Sequence, residues 1–334
     1  MPNNNIPYDL SDHILEKYFR AIGEFQGWHD CDEVAVAVSG GGDSIALLWL
    51  FRSFFDGKIT AVHVNHSIRG EEADKDEKFT EKFARKIGVP FVSVKVDVPS
   101  SKLKGESTET TARRLRLKAL ADTAKSIGAD AVMLGHNRDD LAETILFNLI
   151  RGTGIRGSVG MTEKSEHDGV TFYRPLLGLR RELLRDVLRV RGLKWRDDSS
   201  NNDDSYTRNF IRLKLLPLIE ENINSSAVEH IARFGEEMRP LRESEDNIGV
   251  FLTDTVLVDQ RTLDRKELSS YDIGELVLVF REMGRRLKLR TLSRNRCREL
   301  CRLIISKKSP FIFQWQKNCT VKGGKGVVFF DDHS

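Results

Sequence analysis

The chain has 334 residues, 40% of them hydrophobic, a formal net charge of +3 and four cysteines. That length exceeds one compact core and calls for at least two domains; no run approaches the roughly 20 apolar residues of a membrane span, and Met1 to Asn5 lacks the basic and apolar regions of a secretory leader. Cys31, Cys297, Cys301 and Cys319 are too few for a disulfide framework, so a cytosolic protein with reduced, structural thiols and no membrane partner is expected.

Val34 to Val38 is an apolar strand that stops at Ser39-Gly40-Gly41-Gly42-Asp43-Ser44 and restarts as a helix. Consecutive glycines let backbone N–H groups converge on an anion, and the positive end of the following helix adds its field. The turn therefore reads as a phosphate cradle. A Walker A loop needs Gly-x-x-x-x-Gly-Lys-[Ser/Thr], and Asp43 stands where its lysine belongs; the Gly-x-Gly-x-x-Gly spacing of a dinucleotide fold is missing too. The alternation continues with a strand from Ile59 to His63, a helix from Glu72 to Ile87, a strand from Phe91 to Val98, a helix from Thr108 to Ser126 and a strand from Ala131 to Leu134. This is the pattern of an α/β fold with a parallel sheet, whose ligands lie beyond the carboxyl ends of its strands.

Three polar segments fall at such ends: Ser39 to Ser44, His63 to Arg69, and Gly135 to Glu143. In the last, Asp139 and Asp140 open a helix, where the macrodipole favours carboxylates. Asp140 and Glu143 share a face and can hold magnesium or an ammonium group, while His136 can contact a phosphate or shuttle a proton. Read alone, helix capping by the aspartates and a solvated glutamate account for the same residues.

From about Arg180 helical periodicity takes over, with Leu183, Leu184, Val187 and Leu188 on one stripe and Ile211, Leu215, Leu216, Leu218 and Ile219 on the next helix. The polar loop Arg196 to Ser205 lies between them, and an amphipathic stretch from Ala227 to about Ile248 reads as a connector. The tail from Leu263 reads as two or three short helices, then strands at Phe311 to Trp315, Thr320 to Lys322 and Val327 to Phe330. Residues 281–325 hold 14 Lys and Arg against Glu282 and Glu299, a net of +12 that leaves −9 for the rest. Such a concentration beside Phe311, Phe313 and Trp315 suits a polyanion such as RNA, or else a solvated basic helix.

The motif at Ser39 to Ser44 resembles the PP-loop of the N-type ATP pyrophosphatases, which cleave ATP between the α and β phosphates. Gly135-His136-x-x-Asp139-Asp140-x-x-Glu143-Thr144 resembles a second signature, that of the tRNA(Ile)-lysidine synthetase branch. Further matches follow in order: His63-Val64-Asn65-His66-x-x-Arg69, Glu109-x-x-Ala112-Arg113-x-x-Arg116, Arg151-Gly152-x-Gly154-x-x-Gly157, Arg174-Pro175-Leu176-Leu177, Asp198-Ser199-Ser200-Asn201, and Arg208-Asn209-x-x-Arg212 ending in Leu216-Pro217. The series spans about residues 34–219. Asn137, Leu141, Ser199 and Leu117 depart from it, without removing a charged group.

The resemblance implies a parallel-sheet PP-loop domain over 1–220, a helical connector over 221–248 and a small basic α+β accessory domain over 249–334 for tRNA binding. It also implies a reaction. ATP adenylates O2 of the wobble cytidine of a tRNA(Ile) with a CAU anticodon, and the side-chain amine of free L-lysine displaces AMP to form lysidine. The site residues it implies are Asp43, Arg113, His136, Asp140 and Glu143 for catalysis; Ser39, Gly40, Gly41, Gly42, Asp43, Ser44, His63, Arg208 and Arg212 for ATP; and Asp43 for Mg2+. A homodimer is allowed for. Competing readings are a PP-loop tRNA thiolase, which would need a cysteine near the nucleotide, a synthetase acting on small metabolites, and a non-catalytic RNA-binding protein.

Overall fold

The computed structural model describes residues 27–66, 71–103, 105–196, 206–306, 310–324 and 326–332. Met1 to Asn5, Arg69 and the Asp198-Ser199-Ser200-Asn201 motif lie outside them. There are two compact units, Met1–Glu236 and Glu237–Ser334, and the division falls within one long helix, Ala227–Val256.

The first unit is built on strands β1 (Glu33–Ala37), β2 (Lys58–Asn65), β3 (Phe91–Lys95), β4 (Ala131–Met133), β5 (Lys164–His167) and β6 (Val170–Tyr173). They lie in the order β3-β2-β1-β4-β6-β5, all parallel except for the β5–β6 hairpin. Helices α1 (Gly42–Phe54) and α2 (Glu71–Lys86) bury Ile45, Leu47, Leu48 and Phe83 on one face with Val34 and Val36; α3 (Thr108–Ile127) brings Leu120, Ala121 and Ala124 to the other, against Ala35, Val62 and Val132. A strand covered on both faces must be apolar at every position, which is why residues 34–38 show no alternation.

The β5–β6 hairpin extends the sheet beyond the four strands expected from the sequence. Its turn is Asp168-Gly169, both at positive φ (51° and 73°), the chemistry of a two-residue hairpin turn. The chain then forms α4 (Arg138–Ile150) and α5 (Ile155–Ser158) before the hairpin, and α6 (Arg181–Val190), α7 (Thr207–Phe210), α8 (Leu216–Asn222) and α9 (Ala227–Val256) after it. Ile211–Leu215 between α7 and α8 is one π-helical turn. On α6, Leu184, Val187 and Leu188 are buried as their spacing predicts, whereas Leu218 on α8 faces solvent.

Strands β1 and β4 are neighbours although β2 and β3 lie on the far side of β1. Their carboxyl ends therefore flank the crevice where the strand order reverses, the place where open α/β sheets bind ligands.

The second unit is an antiparallel sheet ordered β7-β8-β11-β10-β9, from β7 (Leu257–Asp259), β8 (Thr262–Asp264), β9 (Phe311–Gln316), β10 (Cys319–Gly323) and β11 (Val327–Asp332). The short α10 (Arg265–Leu268), with α11 (Ile273–Arg286) and α12 (Arg294–Ile305), shares a core with one face of it, where Phe280, Leu300, Cys301, Phe313, Trp315 and Phe330 meet. Alternation in β9 is strict: Phe311, Phe313 and Trp315 are buried and Ile312 and Gln314 exposed.

Candidate active site

The cradle between β1 and α1 has the geometry its residues dictate. Gly40 sits at φ +95°, a region that side-chain-bearing residues rarely adopt. The Ser44 hydroxyl donates to the Gly41 carbonyl at 2.9 Å and accepts from the Ser39 amide at 3.1 Å, and the two serine hydroxyls lie 3.2 Å apart. No side chain caps the start of α1, so its first N–H groups point into the crevice as an anion site. Gly135, at the end of β4, lies against this turn: a β-carbon there would stand 3.2 Å from the Asp43 carbonyl. A side chain at this position would push the two loops apart by a few tenths of an ångström.

The crevice is a cavity of about 430 Å³, and Ser39, Gly41, Gly42, Asp43, Ser44, His63 and His136 are among the residues lining it. His63 is buried on β2 and donates from Nδ1 to the Val38 carbonyl at 2.8 Å; burial pushes its imidazole below the usual range. The His136 ring is pushed well below it by burial first and then by Arg116, Arg174, Arg113 and Arg208. His136 is therefore neutral near pH 7, and its buried Nδ1 has no partner among the described residues.

Beside the cavity, Asp140 and Glu143 do share a face of α4, and a residue the sequence reading passed over joins them. Arg181 Nη2 donates to Asp140 Oδ1 at 2.6 Å and to Glu143 Oε1 at 2.9 Å, and its Nε lies 3.7 Å from Asp43 Oδ2. Burial, reinforced by Asp140, raises the Asp43 carboxyl to about 6; burial likewise raises Glu143 to about 7, against the pull of Arg181. These acids hold protons more tightly than free carboxylates, and a cation arriving beside them would release those protons.

Capping turns out to be part of the same cluster. The Asn137 side chain accepts from the Asp140 amide at 3.0 Å, and Asp140 accepts from the Asn137 amide at 3.0 Å. Asp139 accepts from the Arg181 amide at 2.7 Å and pairs with Arg180, supplying the start of α6 with the side-chain cap that Arg180 does not provide.

Of the remaining expected residues, Arg208 reaches Thr144 Oγ1 at 2.9 Å, Arg212 Nε stands 4.0 Å from Glu143, and Arg113 is exposed on α3. Arg212 lines the cavity; Arg208 and Arg113 are not among its lining residues, whereas Arg116, one turn along α3, is. Arg185 and Arg196 complete a basic wall that the sequence reading did not single out. For Arg181 a signal existed: Arg180-Arg181 opens an amphipathic helix at the end where the macrodipole repels cations, which implies an acidic partner elsewhere. Arg174 is buried and donates to the Thr162 carbonyl at 2.8 Å and to Ser165 Oγ at 3.1 Å, bracing the β6 end of the sheet.

Known proteins resemble this chain. The chain is 37% identical over 224 residues to a tRNA(Ile)-lysidine synthase of Caldanaerobacter subterraneus, covering 66% of this chain and 47% of that one. It is 43% identical over 208 residues to a protein of the same name from Parabacteroides distasonis, with 61% and 46% covered, and 34% identical over 270 residues to one from Clostridium tetani, with 77% and 57% covered. The chain thus spans about half the length of the curated relatives it matches. Among solved structures, a U34-tRNA thiolase from Methanococcus maripaludis superposes with a TM-score of 0.57 at 19% identity, over 67% of this chain and 79% of that one, a likeness of fold. The family model for the PP-loop domain matches residues 13–219, and with the glycine cradle, the switch-point crevice and the acidic cluster all inside that span, the chain belongs to the PP-loop family.

Proposed function

We propose that the protein ligates free L-lysine to C2 of the wobble cytidine in a tRNA(Ile) with a CAU anticodon, with ATP cleaved to AMP and pyrophosphate. The observation that carries the reading is the meeting of a phosphate cradle with an acidic pair, Asp140 and Glu143, bridged to Asp43 by Arg181. A ring carbonyl oxygen leaves poorly, so cytidine O2 is first made a phosphoester. The amides of Gly41 and Gly42 and the Ser39 and Ser44 hydroxyls hold the departing pyrophosphate, where charge develops. Attack then needs a neutral amine, and the Glu143 carboxyl, at about 7, is matched to accept its proton near neutrality. Neutral His136 offers a hydrogen bond to the phosphate without a charge of its own. Arg208 and Arg212 are assigned to phosphates, and Arg113, exposed on α3, to phosphate or carboxylate groups of the incoming substrates.

Mg2+ fits this site as an ion carried by the nucleotide. Asp43 presents a hard oxygen donor at the cradle, and among the described residues no group of three or more His, Cys, Asp or Glu could hold a metal alone, consistent with a Mg2+ bound through one or two carboxylates plus phosphates and water. When bound it neutralises phosphate charge. The basic second unit is assigned to the tRNA, and the reading allows a homodimer, which sedimentation would reveal. Sulfur transfer is disfavoured because Cys31 precedes β1, at the end opposite the cradle, and Cys297, Cys301 and Cys319 are buried in the second unit.

The test incubates the protein with ATP, Mg2+, radiolabelled lysine and an unmodified tRNA(Ile) transcript bearing CAU, then locates the label by nuclease digestion and mass spectrometry. Lysine on the wobble cytidine, absent with Asp43→Ala, is expected. Release of AMP and pyrophosphate without lysine incorporation would reject the nucleophile while retaining the ATP chemistry.

A further inference from the structure

We propose that Arg196 binds the departing pyrophosphate, completing the glycine cradle from a segment about 155 residues further along the chain. The inference rests on the reading of that cradle as the site where ATP is split. Three contacts build Arg196 into the wall of the loop. Its backbone N–H donates to the Gly40 carbonyl at 3.0 Å. The preceding Trp195 lays its ring against the loop, with Cδ1 3.5 Å from where a β-carbon on Gly42 would stand. Its guanidinium Nε donates to the carboxylate of Asp76 on α2, and the Asp76 carbonyl lies 3.8 Å from the β-carbon position of Gly40. Arg196 and Asp76 thus bracket Gly40, and both line the cavity together with Ser39, Gly41, Gly42 and Ser44.

The chemistry asks for a cation at this spot. The cradle supplies neutral amides and hydroxyls, and Asp43 and Asp76 add negative charge beside them. A pyrophosphate leaving group carries several negative charges, so a fixed positive group on the loop favours its departure more than it favours ground-state ATP. A guanidinium has five N–H donors in a rigid plane; the Asp76 pair engages Nε, which fixes the orientation of the plane and leaves the geometry of a phosphate fork on its other edge. Arg212, by contrast, stands beside Glu143, and no main-chain bond ties it to the loop in the way that Arg196 is tied to Gly40.

The experiment is isothermal titration of the full chain with magnesium pyrophosphate and, separately, with AMP. Arg196→Gln is expected to weaken pyrophosphate binding by about tenfold or more, the loss of a charge-assisted contact, and to leave AMP binding unchanged. Arg196→Lys keeps the charge and most of the stem and is expected to fall between wild type and Arg196→Gln, which guards against a folding defect. Unchanged pyrophosphate affinity in Arg196→Gln, or equal losses for pyrophosphate and AMP, overturns the assignment. A wild-type protein that binds neither ligand overturns the ATP-site reading itself, a result distinct from either of these.

Discussion

At the scale of single residues the site is held by backbone conformations and charges that tolerate little substitution. Gly40→Ala would place a β-carbon at φ +95° and 3.3 Å from Thr80 Oγ1, so a loss of about 1–2 kcal/mol in urea unfolding is expected, with weaker ATP binding; a variant as stable as wild type would show that the loop relaxes freely. Glu143 permits a prediction in pH. Its side chain is 5% exposed and burial raises its carboxyl from the usual 4.5 to about 7. Between those values the folded state keeps a proton that the unfolded state has released, so the contribution of Glu143 to stability falls as pH rises through that window. Glutamine lacks this titration. The melting temperature of Glu143→Gln minus that of wild type should therefore increase from about pH 5 to about pH 8, and a difference independent of pH would contradict the burial argument.

At the scale of elements, α4 is the piece that converts fold into site. Its first turn caps itself through Asn137 and Asp140 and anchors α6 through Asp139, and Asp140 with Glu143 in the next turn faces Arg181. Its position in turn depends on Arg138, whose side chain is 11% exposed and pairs with Glu229 and Glu236 on α9. Those glutamates are 38% and 42% exposed and can be resolvated, so Arg138→Ala is expected to cost about 1–2 kcal/mol, less than the loss of a fully buried pair. Chemical denaturation checks the value; a cost below a few tenths would mean that α4 is fixed by its apolar contacts alone.

At the scale of the whole molecule, charge is separated along the chain, and three cations of the basic tail form an ordered stripe. On α12, Cys297, Leu300, Cys301 and Ile304 are buried while Arg294, Arg298 and Arg302, four residues apart, are exposed. If this stripe neutralises tRNA phosphates, Arg298→Gln with Arg302→Gln should weaken tRNA binding and lower the slope of log affinity against log salt by about 1–2. An unchanged slope in filter binding at several salt concentrations would assign the stripe to solvation. Among the described residues no helix is long and apolar enough to cross a membrane.

The amino-acid sequence by itself determined what is local. Ser39 to Ser44 is legible as a cradle because contiguous residues set the backbone of one turn, and Asp140 and Glu143 are legible as a pair because helical periodicity alone puts them on one face. The β5–β6 hairpin went unread: Asp168-Gly169 is its turn signal, but its flanking strands are only four residues each and Lys164–His167 is polar throughout, so they carry little pattern. The tertiary structure decided the rest. Arg181 meets Glu143 across 38 residues of chain and Arg196 meets Asp76 across 120; arginines are abundant in this sequence, and nothing in their spacing marks the ones that a parallel sheet folds back onto its switch point. Which cations complete the phosphate cradle and the acidic cluster is set by long-range contacts, because a buried charge acquires its partner only when the core around it closes.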